Sequence, residues 1–293
     1  MNYIPAKTIV TQVKKHGWFG VDYNMNIYRG CCHGCIYCDS RSLCYKIEHF
    51  DTVRAKQDAL RIIRDDLLKK RRKGVVATGA MSDPYNPFEK ELNLTRNALE
   101  LMNAYRFGIA VATKSPLVCR DINILHDIQI HSPVLIKMTI TSADDTLCKI
   151  VEPEAPPSSE RFSAVKNLSE GGVYAGILMM PLLPFIQDTE ENIIGIVRKA
   201  KENGARFVYA AMGMTLRAGN REYYYENLDK HFPGIKEKYI KRYGERYNCT
   251  SPNVKRLWNI FSGECEKLEL RYAMKDIVID YKRGYTAKQL ELF

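Results

Sequence analysis

Apolar runs of strand length recur along the first two thirds of the chain, each followed by a stretch with helical periodicity. Residues 75–80, 108–113, 134–141, 173–180 and 207–212 are rich in Val, Ile, Ala and Met and are bounded by turn formers. Such runs read as strands covered on both faces. Residues 21–27 alternate apolar and polar positions and read as an earlier strand,. Ala55, Ala59, Ile62, Ile63 and Leu67 fall on one helical stripe, from a cap at Asp51 or Thr52 to a stop at Gly74,. Residues 94–105, 120–130, 159–170 and 189–203 read as further helices, and residues 1–20 as a lead-in of little regularity. Strand–helix alternation repeated about six times predicts a parallel sheet with helices outside. Right-handed crossovers curl such a sheet toward a barrel, and six units fall short of the eight that close one. An open doubly wound sheet satisfies the same alternation. From about Thr215 the alternation stops. The reading is therefore α/β over residues 1–215, with a mainly helical, aromatic and basic extension over 216–293.

Composition narrows the class. Hydrophobic residues make up 45% of 293, enough for a full core and too many for a disordered chain,. Lys+Arg exceed Asp+Glu by 44 − 34 = 10. The excess points to an anionic partner such as nucleic acid, or to diffuse surface charge. No apolar run reaches membrane-spanning length and the N-terminus carries no signal-peptide pattern, so the expectation is a cytoplasmic protein without membrane contact,. Nine unevenly spaced cysteines suit a reducing compartment rather than a disulfide framework,.

The densest chemistry lies at Tyr28-Arg-Gly-Cys-Cys-His-Gly-Cys-Ile-Tyr-Cys38. Cys31, Cys35 and Cys38 are spaced Cys-x3-Cys-x2-Cys. Three thiolates can hold three irons of a cubane and leave the fourth open for chemistry. Structural zinc is the competing reading, with Cys32, His33 or Cys44 as fourth ligand. The zinc reading lacks the usual second Cys-x-x-Cys knuckle, because Cys119, Cys148, Cys249 and Cys265 stand far apart in the chain.

The cysteine spacing resembles the radical S-adenosylmethionine (SAM) superfamily. Asn26-x-Tyr28-Arg-Gly-Cys-x-His-Gly-Cys-x-Tyr-Cys38, Ser82-Asp-Pro-Tyr85, Thr113-Lys-Ser115, Arg120-Asp121, and Glu152-Pro153 with Arg161 together resemble its spore photoproduct lyase-like branch. The resemblance covers roughly residues 20 to 215. It implies a partial (β/α)6 barrel, a [4Fe-4S] cluster held by Cys31, Cys35 and Cys38, and SAM on the open iron. It also implies a one-electron reductant such as flavodoxin or ferredoxin, and hydrogen abstraction from substrate. Gly79, Ser82 and Asp83 are expected near the methionine part of SAM, Lys114 at its carboxylate, and Thr139 and Thr141 at its ribose. Arg161 is expected to pair with Glu152 rather than with a ligand. The hydrogen-donating cysteine of spore photoproduct lyase falls at Ala80 here, which puts the lyase's own radical relay in doubt; Tyr85 and Cys119 are the remaining donor candidates. Asp39 stands where many relatives carry an aromatic residue.

Two features lie outside that stretch. Arg217, Arg221, Tyr223 and Tyr224 are candidates for gripping nucleic acid, since rings and guanidinium groups accept any base face; their alternative is a helix face packed on the barrel. Gln289, Leu290, Leu292 and Phe293 resemble the Gln-Leu-x-Leu-Phe peptide that docks bacterial DNA-processing proteins on the sliding clamp,. The expected function is a DNA repair-like radical SAM enzyme acting on a base or lesion. The alternatives are modification of RNA, protein or a small molecule, and a non-catalytic zinc-stapled DNA-binding module.

Overall fold

The computed structural model describes residues 1–13 and 18–285. Six strands form its centre: Tyr23–Met25, Val75–Thr78, Gly108–Thr113, Val134–Thr139, Ala175–Met179 and Val208–Ala210. They lie side by side in chain order, each parallel to the next. A doubly wound sheet reverses its order at a switch point. This one never reverses, so each crossover turns the same way and the sheet curls into a partial barrel. Val10–Gln12 adds an antiparallel strand at one edge.

The strand period sorts side chains between two compartments. Val75, Ala77, Ala110, Ala112, Leu135 and Leu178 gather inside the sheet's curve with Phe19, Phe207 and Ile277. Val76, Ile109, Val111, Ile136, Met138 and Ile177 pack outward among the helices. Alanines inside leave room, while branched and sulfur side chains outside fill it. The helix Met274–Tyr281 caps the inner compartment, with the Tyr281 hydroxyl donating to the Phe19 carbonyl at 2.8 Å and Tyr174 donating to Asp280 at 3.0 Å.

Three local expectations change. The first helix begins at Ala59, not near Asp51. Arg54–Lys56 is a strand between Asn2–Ile4 and Tyr28–Arg29, and the left-handed Asp58 (φ 52°) separates it from the helix. Pairing with distant strands outweighs the helical stripe that Ala55 completes in sequence. The lead-in supplies two short strands, secured by buried Asp66, whose Oδ2 accepts from Ile9 N at 2.7 Å, Val10 N at 2.9 Å and Thr8 Oγ1 at 2.9 Å. After the barrel, helices Asn220–His231, Ile235–Tyr243 and Val254–Lys267 follow as expected, but Gly213–Thr215 and Asn248–Thr250 also pair as an antiparallel ribbon. No helix among the described residues is long and apolar enough to cross a membrane. Residues 289–293, the expected clamp-docking peptide, lie outside the described residues.

Lys137 sits in the middle of a barrel strand, 2% exposed, its Nζ 5.0 Å from the Trp18 ring centre and 4.7 Å from that of Phe19. Among the described residues it has no carboxylate partner. Burial lowers its pKa from 10.5 to about 7,. The unfolded chain holds that proton to higher pH than the fold does. The stability tied to the neutral amine is therefore complete above 10.5 and lost as pH falls toward 7,. Lys137→Met is expected to melt above wild type at about pH 7, with the gap narrowing as pH approaches about 10; a gap that stays constant across this range in thermal melts contradicts the assignment.

Candidate active site

The cysteine loop leaves the short strand Tyr28–Arg29 through Gly30, whose φ is +83°. A Cβ there would lie 2.4 Å from the Thr52 carbonyl oxygen, so the turn admits no side chain,. Cys31 N donates to Phe50 O at 2.9 Å and Ile36 N to Val151 O at 3.0 Å, pinning the loop at both ends. Cys31, Cys35 and Cys38 then line a cavity of about 100 Å³ together with Gly79, Thr113, Lys114 and Thr139 from the C-terminal ends of three barrel strands. That is the face on which barrel folds build their sites.

Several observations fit a thiolate-held cluster and SAM at this cavity. Burial raises the thiol pKa of Cys31 to about 12 and pushes Cys35 and Cys38 upward too, so the three are protonated thiols in the metal-free loop, and a cluster held there would release their protons,. Gly79 has φ +96°, and a Cβ on it would come within 1.8 Å of the Ala112 carbonyl oxygen, so this turn at the cavity admits only glycine,. Ser82 Oγ donates to Gly30 O at 2.5 Å and joins this turn to the cysteine loop. Asp83 is spent on structure, with its carboxylate accepting from Thr113 Oγ1 at 2.7 Å, Lys114 N at 2.8 Å and Tyr85 N at 2.9 Å. His33 Nδ1 lies 3.6 Å from Asp83 rather than on the cysteines. Among the described residues no three His, Cys, Asp or Glu side chains are grouped to hold a single metal ion. Cys44 is turned outward and takes a hydrogen bond from Arg217 at 3.4 Å.

Behind the loop sits Glu152, wholly buried. It accepts from the Tyr37 hydroxyl, from Arg161 Nη1 at 2.5 Å and from Cys148 Sγ at 3.7 Å, and stands 3.8 Å from Lys114 Nζ. Burial by itself raises a carboxyl pKa, but the Arg161 and Lys114 charges outweigh it and keep Glu152 ionised,. The expected Glu152–Arg161 pair is thus present, with Lys114 and Tyr37 joined to it.

A second, larger cavity of about 540 Å³ shares Cys38, Ser40 and Ala80 with the first. Its apolar wall is Met180, Pro181, Met212 and Trp258. Its polar wall is one face of the ribbon, where Thr215 opposes Asn248 and Gly213 opposes Thr250. Asp39 joins that wall to the cysteine loop, accepting from Thr215 Oγ1 at 3.0 Å and from the Tyr45 hydroxyl at 2.9 Å. Trp258, Asn248 and Thr250 are absent from the residues expected to act. Three-residue strands carry too little periodicity to be read, and the one available signal is the alternation at Asn248-Cys249-Thr250.

Gly79, Ser82, Asp83, Lys114 and Thr139 thus meet at the cysteine cavity, whereas other expected residues do not. Thr141 lies past the end of its strand, and its hydroxyl accepts from Gln187 at 3.0 Å. Tyr85 is sealed in the core, donating to Asp121 Oδ2 at 3.0 Å beneath Arg96 and Arg120. Cys119 points at the Ala164 carbonyl, 3.5 Å away. Neither donor candidate lines the cysteine cavity or its neighbour. Arg221 donates to the backbone carbonyls of Gly244 at 2.7 Å, Arg246 at 3.1 Å and Leu216 at 3.2 Å. Tyr224 is buried against Tyr239, hydroxyl to hydroxyl at 3.0 Å. These two hold the fold together instead of meeting solvent. Arg217 and Tyr223 stay half-buried near the surface, Arg217 hydrogen-bonded to the Tyr247 hydroxyl at 2.5 Å and Tyr223 under the Arg41 guanidinium at 3.8 Å. Alanine at Cys31, Cys35 or Cys38 is expected to abolish iron and sulfide uptake, while alanine at Cys32 or Cys44 leaves most of it. Elemental analysis of anaerobically reconstituted protein checks this, and undiminished loading of any of the first three would count against the ligand set.

Comparison with known proteins agrees with this geometry. A model of the radical SAM superfamily matches residues 25–195. An uncharacterized protein of Methanocaldococcus jannaschii is 31% identical over 175 residues, 58% of this chain and 64% of its own. An uncharacterized protein of Mycobacterium tuberculosis is 25% identical over 249 residues, 83% of this chain and 72% of its own. The chain thus spans a little under two thirds of the archaeal relative. Among solved structures, spore photoproduct lyase complexed with dinucleoside spore photoproduct superposes with a TM-score of 0.66 at 13% identity, over 91% of this chain and 79% of that one. The radical SAM methyltransferase TsrM of Kitasatospora setae, with tryptophan and a SAM analog, superposes at 0.55 and 11% identity, over 84% and 51%. At such identities the likeness is one of fold. With the family match covering more than half its length, the chain belongs to the radical SAM superfamily, whose cofactors are a [4Fe-4S] cluster and SAM.

Proposed function

We propose that this radical SAM enzyme abstracts hydrogen from a base or lesion in nucleic acid, held in the larger cavity. The observation that carries the reading is the shared wall. Cys38, Ser40 and Ala80 border both cavities, so a substrate in one lies beside the cofactors in the other. When bound, the cluster and SAM supply a hydrogen-abstracting radical by one-electron cleavage. The protein's share is placement and the exclusion of water. Lys114 offers an ammonium to the SAM carboxylate. Met180, Met212 and Pro181 make a dry wall. Trp258 offers a half-exposed ring for stacking, and Thr215, Asn248 and Thr250 offer hydroxyl and amide groups to a polar edge,. A cavity of about 540 Å³ is of nucleoside scale,.

The net charge of +10 supports an anionic polymer as partner,. The fold likeness to a lyase solved with a dinucleoside spore photoproduct supports the same class. Ala80 supports a reaction different from that lyase's. It lies where the two cavities meet and carries no thiol to return hydrogen to a substrate radical.

Reductive SAM cleavage in the presence of deuterated oligonucleotides is expected to place label in 5′-deoxyadenosine. Trp258→Ala is expected to lower the labelled fraction about tenfold, in line with the usual worth of one base–ring stack. Label arriving from peptides or small metabolites but not from nucleic acid overturns the substrate assignment.

A further inference from the structure

Glu152 lies outside the cysteine motif, yet three elements around the cofactor cavity meet on its carboxylate. Tyr37 brings the cysteine loop to it, Lys114 the end of the Gly108–Thr113 strand, and Arg161 the helix Ser158–Glu170. Arg161 extends the join to the next strand end by donating to Thr139 O at 3.1 Å, and to the loop before its own helix through Pro156 O at 2.7 Å. Glu152 and Arg161 are wholly buried here and Lys114 partly so, and of the three Lys114 lines the cavity of the three thiols, together with Asp83.

The two cations are held differently. Arg161 is fully engaged, whereas Lys114 Nζ stands 3.8 Å from Glu152, beyond hydrogen-bond reach,. Among the described residues that ammonium donates no hydrogen bond, although its side chain is only 15% exposed and borders the cavity. It is held by charge and keeps its donors free.

We propose that Glu152 is a positioning residue that tunes the cluster. Its buried negative charge lowers the cluster's reduction potential, and it keeps Lys114 charged, in place and free to turn to the SAM carboxylate. A charge in a water-poor interior acts over several ångströms with little screening. Cluster potentials follow nearby net charge and hydrogen bonding. Without Glu152 the Arg161 and Lys114 cations would lose the anion between them, the net charge near the thiolates would become more positive, and an added electron would be favoured. The inference concerns the cofactor site alone and stands whether or not the substrate is nucleic acid.

The test is a redox titration of the reconstituted cluster without SAM, followed by electron paramagnetic resonance. Glu152→Gln keeps the shape and removes the charge, and its midpoint is expected to move positive. Glu152→Asp keeps the charge and is expected to stay near wild type. Lys114→Met is expected to move the midpoint negative. The double variant Lys114→Met/Glu152→Gln removes one charge of each sign and is expected to return toward wild type; it also serves if the single Glu152→Gln chain fails to load its cluster. Equal midpoints in wild type and Glu152→Gln, an Asp variant that behaves like Gln, or a double variant indistinguishable from Lys114→Met each overturn the proposal, leaving Glu152 a purely structural residue.

Discussion

One buried carboxylate holds the cysteine loop to the barrel. Burying Glu152 with Arg161 and Lys114 costs solvation on all three groups, and the arrangement survives because each charge has partners,. Removing one member of such a group typically costs about 3–5 kcal/mol, since the others remain buried and unbalanced. The partners come from positions 37, 114, 152 and 161, so the contact can form only when loop, strand and two helices have all reached their places. A mobile cysteine loop could not present three thiols to one cavity.

The loop is also braced from the other side. Cys35, Ile36 and Tyr37 pack in a second apolar core with Tyr224, Leu228, Tyr239 and Tyr243 from the C-terminal helices. Edge-to-face ring contacts, such as Tyr224 against Tyr239 at 5.2 Å between centres, give that core direction as well as area,. Much of the aromatic residue content after Thr215 therefore packs behind the cysteine loop. What remains near the surface, Arg217, Tyr223 and Tyr247, lies beside Asp39 and the cysteine loop.

The two cavities divide the chemistry between them. The small one gathers sulfur, backbone and an ammonium; the large one gathers methionines, a tryptophan and a polar ribbon. Their common border is short and carries small side chains at Ala80 and Ser40. The residues after the barrel are thus a wall of the larger cavity, joined to the cysteine loop through Asp39 and Thr215. A site shared between barrel and extension lets the same cofactor chemistry be aimed at different substrates by changing only the later part of the chain.

The gathering of Cys31, Cys35 and Cys38 on one loop, the strand–helix order and the strand-end positions of Gly79, Lys114 and Thr139 were legible in the sequence, because each rests on local spacing or local periodicity. Spacing sets which thiols share a loop, and apolar runs set which segments are strands. The strand at Arg54–Lys56, the short ribbon and the burial of Tyr85, Arg221 and Tyr224 were not legible, because each is decided by partners dozens of residues away. A tyrosine or arginine reads the same in sequence whether it faces solvent or a distant carbonyl. The chain's local pattern determined a six-stranded α/β sheet with three cysteines on the loop after its first strand. Long-range packing alone decided which charges are buried together beneath that loop and which side chains enclose the larger cavity, since burial and charge balance are properties of neighbours in space rather than in sequence.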